Sequence, residues 1–517
     1  MKKLLLCAIL VLIFPLTACT GGGLGDAQRG QGNNFIVAWN AQPPTLDPLM
    51  TTSTATRDIS RNFFEPLITL DADNKVKPVL AKSFSFSDDG TLISFTLREN
   101  VKFHDGSTME ATDVVASLKA WIAKASVGQQ FFSDAKVYSP VKNKVEVKLP
   151  EPLFIALSLL ADQGQLPAIQ PKEVLDAAGA DPVEKFIGTG PYTMEKWDTD
   201  QYVQLKRFDG YVSPTGPPSG TAGKKNAAFD NMFFYFVNDP STRMSGLQTG
   251  EYDAANALPP DNIDMLESDE NISVVTGDNG FNAAVFNKKT GVMSNPDMRQ
   301  AVLAATNIDD IQKAAFSQEK LYDTNGALMP KTSEWYSTEG LASYNHQDRD
   351  KVAELLKKAD YNGEEVRILT SREYEEHYNN AVVMNQELNE VGINARLIVT
   401  DWATVLQNRT DDTSYEIFIT GFSPTSTPLT QVFFDPVWPG WTESPEIQNA
   451  FDRIVNAPST DKAVSAKDDL QKAYFDYLPV LKFGGRTTTT GIRSGFTGHE
   501  FTAISGDIFY NVHPDHQ

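Results

Sequence analysis

The sequence contains few residues whose types and spacing suggest catalysis. His104 and Asp105 stand side by side in the segment FHDG, where an imidazole beside a carboxylate could form a catalytic dyad or could stabilise a turn. A dyad needs a nucleophile or a metal partner, and neither lies beside this pair in the sequence. The motifs GxSxG, HExxH and GxxxxGK[ST] are absent. The pattern favours an architectural role for the pair and predicts that the protein is not an enzyme.

The histidines give little support for a metal site. The chain has 6 of them, and the close pair His513 and His516 flanks Pro514 and Asp515 at the C-terminus. Two imidazoles there could bind a soft divalent metal, but chain ends are usually frayed and solvated. We therefore expect no metal and no cofactor.

The N-terminus predicts export and lipid attachment. A basic start precedes an apolar run that ends at Phe14 and is too short to cross a membrane as a helix. The following tetrapeptide, Leu-Thr-Ala-Cys, resembles a bacterial lipobox, in which the signal peptide is removed before the cysteine and the cysteine carries the lipid. The alternative is an ordinary cleavage site that contains a cysteine. We expect a signal peptide at 1–18, lipidation of Cys19 and a flexible, glycine-rich tether at 19–34.

Composition excludes several classes of protein. The net charge is −22, and a phosphate backbone requires a basic surface, so nucleic acid is not an expected partner. The two cysteines are Cys7, inside the predicted signal peptide, and Cys19, so the exported chain cannot form an internal disulfide. A chain of 517 residues can bury a large core in more than one domain, and that core must supply the stability.

Local patterns predict a mixed α/β fold. Residues 84–97 have the alternation of a hairpin around an Asp-Asp-Gly turn. Asn295 and Pro296 provide a helix cap followed by proline at the first helical position. Residues 381–391 carry a helical apolar face, Gly392 ends that helix, and the next residues alternate as a strand. This succession is typical of helices packed on a sheet.

One long segment also resembles a known family. Residues 84–114, FSFSDDGTLISFTLRENVKFHDGSTMEATDV, are similar to the signature segment of the large extracellular solute-binding proteins that serve ABC importers for oligopeptides, dipeptides, nickel and related solutes. Further pieces follow in the family's order at residues 43–48, 64–71, 187–192, 285–302, 344–359 and 388–397. The resemblance thus covers nearly the whole exported chain.

The resemblance implies an α/β, two-lobed periplasmic-binding-protein-like fold with a hinge and an extra subdomain inserted in lobe one. We place lobe one at 35–280 plus 483–517, the inserted subdomain at 71–187, and lobe two at 281–482. The FHDG segment is then a structural hallmark of the inserted subdomain. Closure of the lobes around a solute is the implied functional motion.

The resemblance further points to a binding site in loops between the lobes. Aromatic rings there can stack on side chains or sugar rings, and polar groups can fix the orientation of the solute. The candidate ligand-binding residues are Asn40, Gln42, Phe281, Asn282, Asp401, Trp402, Phe422, Ser423, Thr425 and Trp438. Packing in the core is the alternative role for Phe281 and Phe422, and packing between domains is the alternative for Trp438.

The loop after Thr420 departs from the family in one respect. Peptide-binding members carry an aspartate a few residues after a Gly-Trp pair, and this carboxylate pairs with the α-amino group of the peptide. Here the segment reads GFSPTSTPLT from Gly421, and no acidic residue occurs between Glu416 and Asp435. A buried ammonium group without a counter-ion is costly. The sequence leaves open a blocked or modified peptide, a saccharide or another uncharged polar solute, or a replacement acid from elsewhere, such as Asp401.

We expect the substrate-binding lipoprotein of an ABC importer, a monomer held outside the cytoplasm by its lipid anchor. It would capture a peptide or another small polar solute and deliver it to permease subunits and their ATPases. The alternatives are a sensory or adhesive lipoprotein on the same fold and, less favoured, a lipid-anchored hydrolase. Adjacent permease genes would distinguish the first from the second, and activity on chromogenic glycoside and peptide substrates would identify the third.

Overall fold

The structure is a computed structural model and describes residues 33–515. The predicted signal peptide, Cys19, most of the predicted tether and His516 lie outside the described residues. Asn34, assigned above to the tether, instead begins the first strand, where it pairs with Asn231. Within residues 33–515, no helix combines the length and the apolar character needed to cross a membrane.

Strands and helices alternate along the described chain. The strands are β1 Asn34–Trp39, β2 Ile68–Leu70, β3 Val76–Pro78, β4 Ala81–Phe86, β5 Leu92–Leu97, β6 Lys136–Val141, β7 Lys144–Lys148, β8 Tyr192–Asp198, β9 Tyr202–Arg207, β10 Asn231–Phe236, β11 Ala254–Ala255, β12 Ile272–Phe286, β13 Val366–Ser371, β14 Ala395–Thr400, β15 Ile417–Phe422, β16 Val480–Arg493, β17 Phe496–Thr497, β18 Glu500–Thr502, β19 Gly506–Ile508 and β20 His513–Pro514. The helices are α1 Thr54–Ser60, α2 Ala111–Lys124, α3 Ser126–Phe132, α4 Ala156–Ala161, α5 Lys172–Ala178, α6 Pro240–Thr249, α7 Ile263–Glu267, α8 Pro296–Ala305, α9 Ile308–Ala315, α10 Arg349–Lys358, α11 Glu375–Glu390, α12 Trp402–Asn408, α13 Pro445–Val455, α14 Thr460–Ser465 and α15 Lys467–Tyr477.

A sheet of 10 strands extends through the molecule in the order β14-β13-β15-β12-β16-β11-β1-β10-β9-β8. In one half, β1 runs parallel to β10 and β11, and in the other half β13 runs parallel to β14 and β15. Phe35 and Val37 pack into one apolar cluster, whereas Ile36 and Ala38 pack into another. Because β1 is covered on both faces, its sequence is a continuous apolar run, as is usual for buried parallel strands.

Two long antiparallel strands, β12 and β16, join the halves of this sheet. β16 pairs with β11 in the first half, and β12 pairs with β15 in the second half. The register of β12 on β16 shifts between Asp278 and Phe281. Gly280 lies in this irregularity with φ +80°, and a Cβ there would stand 1.9 Å from the carbonyl oxygen of Phe422. The lobe boundaries predicted above, 280/281 and 482/483, fall within these two strands.

A second, antiparallel sheet in the order β4-β5-β7-β6 lies inside residues 71–187. Its β4 and β5 form the hairpin that the alternation predicted. Trp121 of α2 is buried in the same apolar cluster as Phe95 of β5 and Val145 of β7. The segment predicted as an inserted subdomain therefore contains its own sheet with a helix packed against it.

His104 and Asp105 stabilise local structure between this segment and the residues that precede β8. The backbone N–H of Gly188 donates to His104 Nδ1 at 3.2 Å, and His104 Nε2 lies 3.1 Å from the carbonyl oxygen of Gly190. Burial lowers the pKa of His104 to about 4, so the imidazole is neutral near pH 7. Asp105 Oδ1 accepts the N–H of Ser107 within its turn. These contacts are architectural, as the sequence favoured.

Local signals also set the ends of two helices in the second half of the chain. The Asn295 side chain accepts the N–H of Asp297 at the start of α8, with proline at the first helical position. Helix α11 ends at Glu390, and Gly392 follows with φ +86° before β14 begins. These elements agree with the capping and helix-stop patterns in the sequence.

Candidate ligand-binding cleft

An aromatic cluster at the start of α11 forms part of the cleft wall. The rings of Tyr374 and His377 stack with centroids 4.9 Å apart, and Trp402 lies 4.8 Å from Tyr374 and 5.6 Å from His377. Burial lowers the pKa of His377 to about 4 and raises that of Tyr374 to about 12, so both rings are neutral at pH 7. This group is an uncharged aromatic surface on which planar or apolar parts of a solute can stack.

A second aromatic group stands at the end of β15. Phe422 lies 5.7 Å from Trp438 and 5.3 Å from Phe281, measured between ring centroids. Phe422 is 5% exposed and Phe281 is 4% exposed, so both rings contribute mainly to the core while they border open space. Ser423 and Thr425 continue the chain along the cavity and supply hydroxyl groups.

Arg486 of β16 lies where the two halves of the sheet meet. Its Nη1 donates to Glu376 Oε1 at 3.2 Å, while its Nε is buried without a hydrogen-bond partner among the described residues. Burial lowers the pKa of Arg486, and the neighbouring Glu376 opposes this shift. A Cβ at Gly421 would lie 2.6 Å from Arg486 Nη2. Because Gly421 has no side chain, it leaves room for the guanidinium group of Arg486.

The first half of the chain supplies the facing wall through residues 51–54, α1 and the loop after α4. Arg57 of α1 donates to Asp58 Oδ1 at 2.7 Å and to the carbonyl oxygen of Ile504 at 3.0 Å. In the loop, Asp162 Oδ1 accepts the N–H of Gly164 at 2.8 Å. Burial raises the pKa of Asp162, and both this hydrogen bond and Arg57 oppose the shift. Two lining charges thus come from this wall, one of each sign.

The walls border a partly open cavity of about 160 Å³. Two neighbouring spaces, one beside Asn40 and the other beside Lys482, also border Arg486. Lys482 Nζ donates to the carbonyl oxygen of Ala327 at 2.6 Å and lies 4.8 Å from the centroid of the Phe281 ring. Within residues 33–515, no group of three or more His, Cys, Asp or Glu side chains is arranged to hold a metal ion. The geometry is that of a binding cavity with aromatic walls and a few charged groups.

The amino-acid sequence of the chain matches a known family. The family model for bacterial extracellular solute-binding proteins, family 5 Middle, matches residues 75–444, which is more than half of the chain. The chain belongs to this family. Its members bind solutes and are not enzymes, so the molecule is a solute-binding protein that acts outside the cytoplasm.

Individual proteins resemble this solute-binding protein over most of its length. It is 26% identical over 477 residues to a probable peptide ABC transporter periplasmic-binding protein of Sinorhizobium fredii, covering 88% of each chain. It is 28% identical over 427 residues to a glutathione-binding protein of Salmonella paratyphi A, covering 78% of each chain. The structure of the A. tumefaciens R10 binding protein AgaA, in complex with agropinic acid, has a TM-score of 0.81 and 25% identity, covering 94% of this chain and 99% of that one.

Most of the predicted site residues lie at the cleft of this solute-binding protein. Those that line the main cavity are Trp402, Phe422, Ser423, Thr425 and Trp438. Asn40 borders one adjoining space and Phe281 borders the other. The loops to which the family resemblance pointed are therefore brought together by the fold.

Three predicted residues make structural contacts instead. Gln42 exchanges hydrogen bonds with Asp200 in the turn between β8 and β9. The Asn282 side chain is fully buried and donates to Asn380 Oδ1 at 3.0 Å. Asp401 is exposed and caps α12 by accepting the N–H of Thr404 at 2.9 Å. None of the three lines a cavity described above.

Several residues that line the main cavity were not predicted from the sequence. They are Arg57, Asp162, Tyr374, His377 and Arg409. Each lies outside the family-like loops that guided the prediction, and each reaches the cavity through contacts between distant parts of the chain. A single arginine or aspartate in a loop gives no local signal, because such residues are usually solvated.

Proposed function

We propose that this protein is the substrate-binding component of an ABC importer and captures a peptide or a related polar solute in the cleft. It is anchored to the cell membrane by a lipid on Cys19 and delivers the solute to permease subunits and their ATPases. The observation that carries this proposal is the cavity, to which the first half of the chain contributes polar and charged groups and the second half contributes aromatic rings and Arg409. The names of the peptide-binding and glutathione-binding relatives support the same class of solute.

The mechanism follows from how the chain crosses between the walls. In the proposed arrangement, residues 35–280 and 483–517 form lobe one, with 71–187 inserted, and residues 281–482 form lobe two. Strands β12 and β16 connect the lobes, and the irregular register near Gly280 supports a hinge there. A solute that contacts both walls binds the closed state more tightly than the open state, and it therefore shifts the population toward closure.

A thermal-shift screen of the purified protein tests this function. The panel contains free short peptides, the same peptides with acetylated N-termini, glutathione, oligosaccharides and divalent metal salts. A ligand at a concentration of about 100 times its Kd adds about 2.7 kcal/mol to the free energy of unfolding, so a binder gives a clear rise in Tm. A rise with peptides or glutathione supports the proposal. A rise only with oligosaccharides or metals contradicts the solute class, and no rise with any of them contradicts capture of these solutes.

A matched pair of variants then assigns the binding to the cleft. Trp402→Ala removes a ring that lines the cavity and contacts Tyr374 and His377. Tyr138→Ala removes an exposed ring from the inserted segment that does not line the cavity. We expect the ligand-dependent rise in Tm to fall in Trp402→Ala and to remain in Tyr138→Ala. An equal rise in both variants would place the solute elsewhere.

A further inference from the structure

Four charged residues line the main cavity, and two of them have ionic partners. Arg57 is paired with Asp58, and Arg486 is paired with Glu376. The other two are Asp162 and Arg409, for which the described residues provide no salt bridge. The cleft therefore holds one carboxyl group and one guanidinium group that form no salt bridge among the described residues, although Arg57 acts electrostatically on Asp162.

Asp162 is fixed in place but incompletely bonded. Its side chain is 7% exposed, and its Oδ2 atom is buried without a hydrogen-bond partner among the described residues. The loop that carries it is held by neighbouring contacts, because Gln163 Nε2 donates to Thr69 Oγ1 and Gln165 Oε1 accepts from Ser126. A buried carboxylate oxygen that lacks a donor carries a desolvation cost. A donor from a bound solute would remove that cost.

Arg409 is the corresponding cation from the second half of the chain. It follows α12, its Cζ lies 5.3 Å from the centroid of the Trp438 ring, and its Nε is buried without a hydrogen-bond partner among the described residues. Burial lowers the pKa of Arg409 to about 10, so the guanidinium group stays charged at neutral pH. Its planar N–H groups suit a carboxylate.

We propose that Asp162 binds an ammonium group of the solute and that Arg409 binds a carboxylate group of the same solute. This inference rests on the proposed function and narrows it to zwitterionic solutes, such as peptides with free termini. The acid that is absent from residues 421–430 is thereby supplied from the opposite wall. Burial raises the pKa of the Asp162 carboxyl, and an ammonium group bound beside it would oppose that shift.

The test compares an equimolar library of free tripeptides with its N-acetylated and its C-amidated counterparts, using the ligand dependence of Tm to obtain apparent affinities. We expect the unmodified protein to prefer the free library over each blocked library by about tenfold or more, because blocking leaves one buried charge unpaired. Asp162→Asn should abolish the preference for the free over the acetylated library. Arg409→Gln should abolish the preference for the free over the amidated library. The preference for the free over the acetylated library should remain.

The selectivity ratios separate binding from folding, because a merely structural role would not change them selectively. Asp209→Asn is the charge-matched control, since this carboxylate is 90% exposed and lies outside the cavity, and it should keep both preferences. Equal binding of free and acetylated libraries by the unmodified protein overturns the inference without any variant. So does a preference that persists in Asp162→Asn, and in both cases the proposed function stands. If no library binds, both the inference and the peptide class are rejected.

Discussion

Glu387 of α11 provides a test of how the burial of a carboxyl group makes the stability of the protein depend on pH. Its side chain is 8% exposed, and its Oε2 accepts the N–H of Asn307 at 3.1 Å. Burial raises the pKa of Glu387 from 4.5 to about 7, the hydrogen bond from Asn307 opposes this shift, and Asp310 and Glu390 add to it. The folded protein therefore holds a proton that the unfolded chain releases at a lower pH.

The sign and size of the effect follow from this difference. Between the unfolded pKa and the folded pKa, the folded state binds more protons, so stability falls as pH rises from 4.5 to about 7. At about 1.4 kcal/mol per pKa unit, the loss is about 3 kcal/mol. Glu387→Gln keeps an oxygen that can accept the N–H of Asn307 and removes the titration. The free energy of unfolding of this variant, relative to the unmodified protein, should rise by about 2 to 3 kcal/mol between about pH 5 and about pH 8.

Urea unfolding at these two pH values measures the predicted change. Glu354→Gln is the control, because this glutamate of α10 is 66% exposed beside Lys351, and its substitution should give the same stability difference at both pH values. If Glu387→Gln also gives a difference that does not depend on pH, the carboxyl is not protonated in the folded state and the reasoning from burial is wrong.

Three further substitutions test other features. Gly280→Ala places a Cβ against the carbonyl oxygen of Phe422 at a positive φ, so it should lower the free energy of unfolding by about 2 kcal/mol or more; an unchanged urea midpoint would contradict this. Asp401→Ala removes the cap bonded to Thr404 and should cost about 1 kcal/mol while the ligand-dependent rise in Tm persists; loss of that rise would return Asp401 to the site. Cys19→Ala should move the protein from the membrane fraction to the soluble fraction, and retention on the membrane would exclude the proposed anchor.

Elements whose ends depend on local chemistry were predictable from the sequence. The cap at Asn295 and the helix stop at Gly392 act through neighbouring backbone groups, so their residue types carry the signal. The long strand β12 was not predictable in this way. Residues 278–280, Asp-Asn-Gly, are typical of a turn, and the register of β12 on β16 shifts there but pairing resumes at Phe281. The tertiary pairing on both sides keeps these residues within one strand, and the local preference appears as an irregularity.

Site residues could be predicted where their loop resembled the family. They could not be predicted where their role depends on which polar side chains lie beside them in the folded protein. Trp402 and Trp438 were found from their loops, and both line the cavity. Gln42 and Asn282 were chosen for the same reason, but they find partners in Asp200 and Asn380, which are 158 and 98 residues away in the chain. Only the folded arrangement determines which polar side chains are satisfied, and this is why the unpaired charges were missed.

The positions of the two unpaired charges bear on closure as well as on specificity. Asp162 comes from the first half of the chain and Arg409 from the second, so the two lining groups without a salt bridge lie on different walls. Closing the empty cleft further would remove water from both charges without providing partners, which is costly. A zwitterionic solute supplies both partners at once and therefore binds the closed state with an advantage that a solute with one charge lacks. Because a ligand shifts a conformational equilibrium only through such differential affinity, the same two residues would select the solute and couple its capture to the state presented to the permease.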